Sequence, residues 1–249
     1  MTRFKIHIQY DGTSFHGWQT QKNAKTIQGE FEKVLIKFSH GIKINVIGSG
    51  RTDSGVHALD QVAHFDLNTQ MKPKELLSAL NGQLPPDIRI TNCDTVSDNF
   101  HARYSAIKRF YLYQCRTNDY LMDRFSVWQT GPLDLKILNK VSTLLLGTHD
   151  FTSFSKFNPD IENRLCNIYL SEWTKSGSIV NYRVVANRFL HHMVRYLVGT
   201  MIEVEKGKIT FPEFIELLHN PREDVHVHKA PAQGLFLEKI EYNETNIYD

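Results

Sequence analysis

The sequence predicts an α+β protein made of two successive β-α-β-β-α-β halves. Three observations carry that expectation. Strand-like and helix-like periodicities succeed one another in this order twice along the 249 residues. The second half repeats the order without visible identity to the first. The connections are short and show no low-complexity tract or flexible linker, which suits compact packing rather than beads on a string.

In the first half, Phe4, Ile6, Ile8 and Tyr10 alternate with Lys5, His7 and Gln9, the pattern of a half-buried strand. Thr26 can cap a helix whose apolar face is Ile27, Phe31, Val34, Leu35 and Phe38. Ile42, Ile44 and Val46 begin a second strand that runs into Gly48-Ser49-Gly50, and residues 60–67 form a third. Pro73 opens a second helix through Leu80, and residues 87–97 return as a strand. In the second half a strand at 107–116 precedes a helix capped by Asp134, with Leu138, Val141, Leu144 and Leu145 on its face. Strands at 165–174 and 179–187 are joined by the turn Lys175-Ser176-Gly177-Ser178. Leu190, Met193, Val194, Leu197, Val198 and Met201 mark a helix over 190–202. A helix from about Pro212 to His219 and a strand at 235–242 complete the chain. The order is that of two ferredoxin-like halves, residues 1–104 and 105–249. It implies antiparallel sheets with helices on one face and a sheet face left open for a large ligand.

Composition excludes several classes. With 41% hydrophobic and 22% charged residues, the chain is neither disordered nor collagen-like. The formal charge of +2 neither demands nor excludes a nucleic acid, so the distribution of charge must decide. Cys93, Cys115 and Cys166 form no CxxC pair, which argues against a zinc ribbon or redox dithiol and for reduced, buried thiols. The amino terminus lacks the apolar stretch of a signal peptide, and no apolar run approaches bilayer length. A soluble, cytoplasmic protein is expected.

The most unusual segment is Gly48-Ser49-Gly50-Arg51-Thr52-Asp53-Ser54-Gly55-Val56-His57-Ala58. It is not a phosphate loop, because no Gly-Lys pair occurs and Asp53 stands where GxGxxG needs its last glycine. What remains is a carboxylate on a glycine-flanked loop, with Arg51 two residues away. The plain alternative is an Asp-Ser-Gly turn that bonds its own backbone.

Residues 99–113 interleave Arg103, Lys108 and Arg109 with Phe100, Tyr104, Phe110, Tyr111 and Tyr113. Rings that stack on bases and cations that meet phosphates suit single-stranded or looped RNA, although an amphipathic edge strand has the same pattern. On the 190–202 helix, His191, His192 and Arg195 lie off the apolar face, where adjacent histidines diverge by about 100° and chelate poorly. Two further histidine sets, His226 with His228 and His57 with His64 and Asp66, are weak as metal ligands.

Taken in order, YDGTSFHGWQ at 10–19, GSGRTDSGVHA at 48–58, FHARYSAIKRFYLY at 100–113, GTHDFTSF at 147–154, NRFLHHMVRYLVG at 187–199 and APAQGLFL at 230–237 resemble the bacterial tRNA pseudouridine synthase A family along nearly the whole chain. The resemblance implies the pseudouridine synthase fold and isomerisation of uridine to pseudouridine at nucleotides 38, 39 and 40 of the tRNA anticodon arm. It also implies a homodimer and no cofactor. Residue by residue, it makes Asp53 of Arg51-Thr52-Asp53 the nucleophile and Tyr111 the ring that stacks on the target base. Arg195 becomes the cation that pairs with the catalytic carboxylate, and Leu235 a residue lining the base pocket. Ser54 stands where the family usually has alanine, and Leu112 where it often has arginine.

The chemistry is consistent with these types of residue. Breaking the C1′–N1 bond and joining C1′ to C5 needs a nucleophile that holds one fragment while the base turns, and a carboxylate can attack either C1′ or C6. No redox or phosphoryl-transfer step occurs, so neither cofactor nor metal motif is expected. Two rival classes are a non-catalytic RNA-binding module, which leaves the Asp53 loop unexplained, and a metal-dependent nuclease using Asp53, His57, His64 and Asp66.

Overall fold

The computed structural model of the chain describes residues 1–225 and 227–243. Two compact units emerge from its contacts: Met1–Lys108 with the chain from Phe236, and Arg109–Leu235. The strand that the sequence assigns to the second half therefore belongs with the first, where Phe236 and Leu237 pair with strand residues His57 and Ala58. Periodicity identifies a strand but not its neighbour. Among the described residues there is no helix long and apolar enough to cross a membrane.

In the first unit the chain runs β1 (Thr2–Tyr10), α1 (Ile27–Phe38), β2 (Ile47–Gly48), β3 (His57–Leu67), α2 (Pro73–Asn81) and β4 (Ile88–Thr95). Antiparallel β1 lies between β3 and β4, with Phe4 opposite Phe65 and Ile6 opposite Cys93. β2 pairs with β3 at His64 and Ala63. The expected β-α-β-β-α-β order is thus present in the ferredoxin-like arrangement β4-β1-β3-β2. Phe4, Ile6, Ile8 and Tyr10 of β1 point into the core, where Phe4 stacks on Phe65 at 5.8 Å and Phe31 of α1 meets Phe65 at 6.1 Å. Phe31 is fully buried, so its truncation to alanine would cost about 3–5 kcal/mol. As the sequence suggests, Thr26 caps α1 by accepting from the Gly29 N–H.

The second strand is a correction. Residues 42–46 are not in a ladder, and β2 is two residues long. Their alternation has a different cause: two buried polar residues of α1 take the backbone of Val46. Glu32 accepts its N–H at 3.3 Å and Gln28 donates to its carbonyl at 3.1 Å. Those bonds replace a sheet ladder.

The other face of this sheet is less open than expected. Arg3 holds Asp66 through two 2.8 Å bonds and donates to Asp98 O and Phe100 O. Lys5 lies buried beneath the rings of Phe100 and Tyr242, and the Tyr242 hydroxyl donates to Ala102 O.

The chain enters the second unit within β5 (Ala106–Arg116) and continues through β6 (Trp128–Gln129), α3 (Leu135–Ser142), β7 (Gly147–Asp150), β8 (Leu165–Ser176), β9 (Ile179–Ala186), α4 (Met193–Glu205) and α5 (Phe211–His219). It leaves at the start of β10 (Leu235–Tyr242). β9 lies antiparallel between β5 and β8, β7 adds to β8, and β6 runs parallel to the end of β5. Asp134 caps α3 as expected, and the β8–β9 hairpin turns through Gly177, at φ +60°, and Ser178. A Tyr182–Trp173 ring contact at 4.9 Å sits in the core, and the Trp173 indole N–H donates to Met201 of α4. All three cysteines are buried free thiols. Burial pushes Cys93 and Cys166 up to about 12 and Cys115 higher still, which leaves them unreactive.

The helix expected at 190–202 begins only at Met193. His192 takes a left-handed conformation, φ +63°, and His191 O accepts from Lys156 N–H instead of an intrahelical donor. The two histidines are consequently off the helix, with ring centroids 3.9 Å apart rather than divergent.

His64 supplies a pH-dependent term in the first unit. It is 3% exposed, its Nδ1 accepts the Ala102 N–H, and burial, aided by the charges of Arg3 and His101, pushes its pKa down to about 4. Between about pH 6.5 and 4 the unfolded chain binds a proton that the folded chain refuses. Stability therefore falls as pH falls through that window, by on the order of 3 kcal/mol in full. Asp66, held below the usual carboxylate range chiefly by the Arg3 hydrogen bond, adds to the loss only at lower pH. Melting temperatures measured from pH 7 to 4 should decline, and His64→Asn, whose amide oxygen can accept the same N–H, should flatten the decline. An unchanged slope in that variant would remove His64 as the cause.

Candidate active site

The Asp53 loop hangs between β2 and β3 and is fixed at both ends by buried groups. Ser49 N–H donates to Val62 O at 2.8 Å, and its hydroxyl meets Gln61 Oε1 at 2.8 Å. The Gln61 amide, fully buried, donates back to Gly50 O at 2.9 Å. Thr52 is buried with its hydroxyl 2.8 Å from the Tyr10 hydroxyl. A turn follows in which Val56 N–H donates to Asp53 O at 3.2 Å and Gly55 takes φ +78°. The local Asp-Ser-Gly turn and the presented carboxylate are thus the same object. Between buried Thr52 and Val56, Asp53 is half-buried, and Arg51 is exposed.

This loop rests on the segment Asp11–Trp18. Trp18 N–H donates to Thr52 O, Gly55 N–H and the Ser54 hydroxyl both donate to Phe15 O, and Gly12 N–H donates to His57 Nδ1. Ser54 thereby adds a clamp that alanine would lack. The two backbones touch at two glycines. A Cβ on Gly12 would lie 2.0 Å from Val56 O, and one on Gly17, which has φ +84°, would lie 2.5 Å from Thr52 O. No other residue fits at either position. The same segment receives α1: Ile27 and Gln28 N–H groups, which a helix start leaves unpaired, donate to Gly17 O and Trp18 O at 3.1 and 3.0 Å. Helix, cradle and loop are therefore one hydrogen-bonded body. The sequence offered Gly12 and Gly17 only as part of a familiar-looking segment, and their role was not visible in it.

In the second unit the other segments of the resemblance converge. Tyr111 and Tyr113 share one face of β5, with Tyr111 9% exposed and Tyr113 fully buried. Tyr111 meets Phe189 edge to face at 5.0 Å. Tyr113 is structural: its hydroxyl donates to Pro231 O at 2.8 Å, and a Cβ on Gly234 would lie 2.7 Å from its ring. Burial raises its pKa well above the ordinary tyrosine value. Arg195 sits in the first turn of α4, where its Nε donates to Ala230 O at 2.8 Å and its own carbonyl accepts Ala230 N–H at 3.0 Å. Gly199, one turn on, is needed because a Cβ there would lie 2.1 Å from His228 O. The 230–235 segment is thus pinned by Arg195 and Tyr113 and ends at buried Leu235.

The remaining expected residues have assorted surroundings. Arg103 is exposed and lies over the Tyr104 ring, Lys108 pairs with Glu241 at 3.1 Å, and Arg109 donates to Asn187 O at 2.6 Å. His57, His64 and Asp66 are bound to Gly12, Ala102 and Arg3 respectively, which are structural tasks rather than a shared ligand set. His228 stacks on Trp128 at 5.7 Å, whereas His226 lies outside the described residues.

A family model described as tRNA pseudouridine synthase matches residues 6–105 and 141–243. A tRNA pseudouridine synthase A of Exiguobacterium sp. (strain ATCC BAA-1283 / AT1b) is 38% identical over 247 residues, 99% of this chain and 100% of the relative. Those of Geobacillus kaustophilus (39% identical, 97% of this chain and 95% of the relative) and Chlorobaculum tepidum (40%, 96% and 97%) match as fully. With a family model covering most of its length and relatives of this similarity end to end, the chain belongs to the tRNA pseudouridine synthase family of isomerases.

Proposed function

We propose that this isomerase of tRNA uridine acts at nucleotides 38, 39 and 40 of the anticodon arm, as a homodimer, with Asp53 as its nucleophile. The observation that carries the nucleophile is the construction of its loop. Four hydrogen bonds to the Asp11–Trp18 segment and two Cβ-free contacts fix a flexible-looking glycine-rich segment around a half-buried carboxylate. Such fixation matches what covalent catalysis requires, since a carboxylate held in place need not be ordered again at each attack. It can attack C1′ of the ribose or C6 of the uracil, and either route holds one fragment while the base turns.

Tyr111 supports the same reading. Its ring is held edge to face by Phe189 and has little freedom to lose when a flipped base stacks on it. Arg195 and Leu235 take the roles that the resemblance implies, with the Arg195 head fixed by Ala230 and Leu235 following the Gly234 contact.

Substitutions at three positions test this function. Asp53→Asn keeps the shape of the side chain and removes its nucleophilicity, so pseudouridine formation should vanish in a tritium-release assay while filter binding of tRNA persists. Appreciable turnover in that variant would overturn the assignment. Tyr111→Ala should weaken productive base binding by about 1–3 kcal/mol, the worth of one base–aromatic stack, whereas Tyr111→Phe should keep it. Equal activity of Tyr111→Ala and the parent protein would exclude the stacking role. Gly17→Ala should lower stability by about 1–3 kcal/mol and reduce single-turnover rate more than tRNA affinity, because its Cβ strikes the backbone one residue from Asp53. A rate unaffected by that variant would mean the cradle does not position the carboxylate.

A further inference from the structure

The turn His101–Ser105 of the first unit is built more firmly than an exposed connection needs. His101 N–H donates to the Ser105 hydroxyl at 3.0 Å, and Ser105 N–H returns to His101 O at 2.9 Å. The His101 Nδ1 accepts both the Arg103 and the Tyr104 N–H at 3.2 Å, so the imidazole closes the turn from inside. Its neutral form is required for that, and burial together with the Arg3 and Arg103 charges lowers its pKa. The turn is moored to the sheet through Ala102, whose N–H donates to His64 and whose carbonyl accepts from Tyr242.

Rings pile up along this mooring. The His64 ring, buried on β3, lies 4.9 Å from that of His101, which lies 4.3 Å from that of Tyr104 at a tilt of 31°. The column ends in solvent: Tyr104 is 77% exposed, the most exposed tyrosine, phenylalanine or tryptophan among the described residues, with the Arg103 guanidinium over its ring at 5.7 Å from the centre. An exposed aromatic gains nothing for folding by this much support. A backed, oriented and largely solvent-exposed ring with a guanidinium over it is the geometry that holds an unpaired base and its phosphate.

We propose that Tyr104 is a stacking platform for an unpaired base of the RNA substrate, with Arg103 meeting an adjacent phosphate. The proposal rests on the tRNA reading above and names a second contact for it. That base is not the target uridine. His57, beside the Asp53 loop, and His64, beneath the turn, are seven residues apart on β3, roughly 23 Å at strand rise. Tyr104 therefore fixes the register of the RNA at a distance from the reacting nucleotide, as a positioning residue.

The test compares Tyr104→Phe, Tyr104→Leu and Tyr104→Ala in the full chain, on an unmodified tRNA transcript. If Tyr104 stacks, Tyr104→Phe keeps parental affinity, whereas leucine and alanine raise Kd and KM about tenfold and leave saturated kcat near the parental value. Melting temperatures should stay together, because the ring is in solvent. A transcript carrying 4-thiouridine should crosslink under ultraviolet light to the peptide Tyr104–Lys108, at a nucleotide other than the one converted. Equal affinity of Tyr104→Ala and the parent enzyme, a leucine variant as good as phenylalanine, or a crosslink only to the converted nucleotide would each overturn the platform. A parent protein with no activity on tRNA would instead overturn the reading beneath it, so the two failures are distinguishable.

Discussion

The close approach of two backbones, at Gly12 against Val56 and at Gly17 against Thr52, is the constraint on which the rest of the first unit turns. Two strands of irregular chain can lie that near each other only where side chains are missing, and each then satisfies the other's polar groups. The start of α1, the end of β1 through Tyr10, the short strand β2 and the head of β3 are all tied to the same contact. The backbone that carries Asp53 is positioned at the centre of this lattice by covalent and hydrogen-bond geometry.

Much of this was legible in the sequence, and the failures have a common physical origin. Thr26 and Asp134 were readable as caps because capping is decided within three residues. Gly177 was readable as a hairpin turn for the same reason. Asp53 stood out because its neighbours are chemically unusual, and local composition is all that the eye needs for that. By contrast, the apolar alternation of Ile42, Ile44 and Val46 looked like a strand while its backbone partners, Gln28 and Glu32, sat on a helix many residues earlier. The start of α4 was misplaced because the left-handed turn at His192 and the Lys156 bond to His191 are tertiary events. The cradling glycines belonged to the same class. Their need arises from a surface that comes from another part of the chain.

Histidine illustrates how chemistry suggested by sequence can be absorbed by structure. Twelve histidines invite metal readings. Yet His57 and His64 spend their ring nitrogens on backbone N–H groups, His101 closes its own turn, and His228 stacks on an indole. An imidazole accepting from the backbone must be neutral, so His64 and His101 trade basicity for architecture. The depressed His64 value is the thermodynamic trace of that trade.

The parallel pairing of Phe236 and Leu237 with His57 and Ala58 also has a consequence for how the chain is made. These partners are about 180 residues apart, and the whole of Arg109–Leu235 lies between them. On a ribosome, the first unit emerges early but waits with an unfilled position along β3 until Phe236 and Leu237 are synthesised. The inserted unit has every strand of its own β5-β9-β8-β7 order in hand before then. Vectorial synthesis thus inverts the order of completion of the two units: the one begun first is completed after the inserted one, when the strand beside the Asp53 loop is in place.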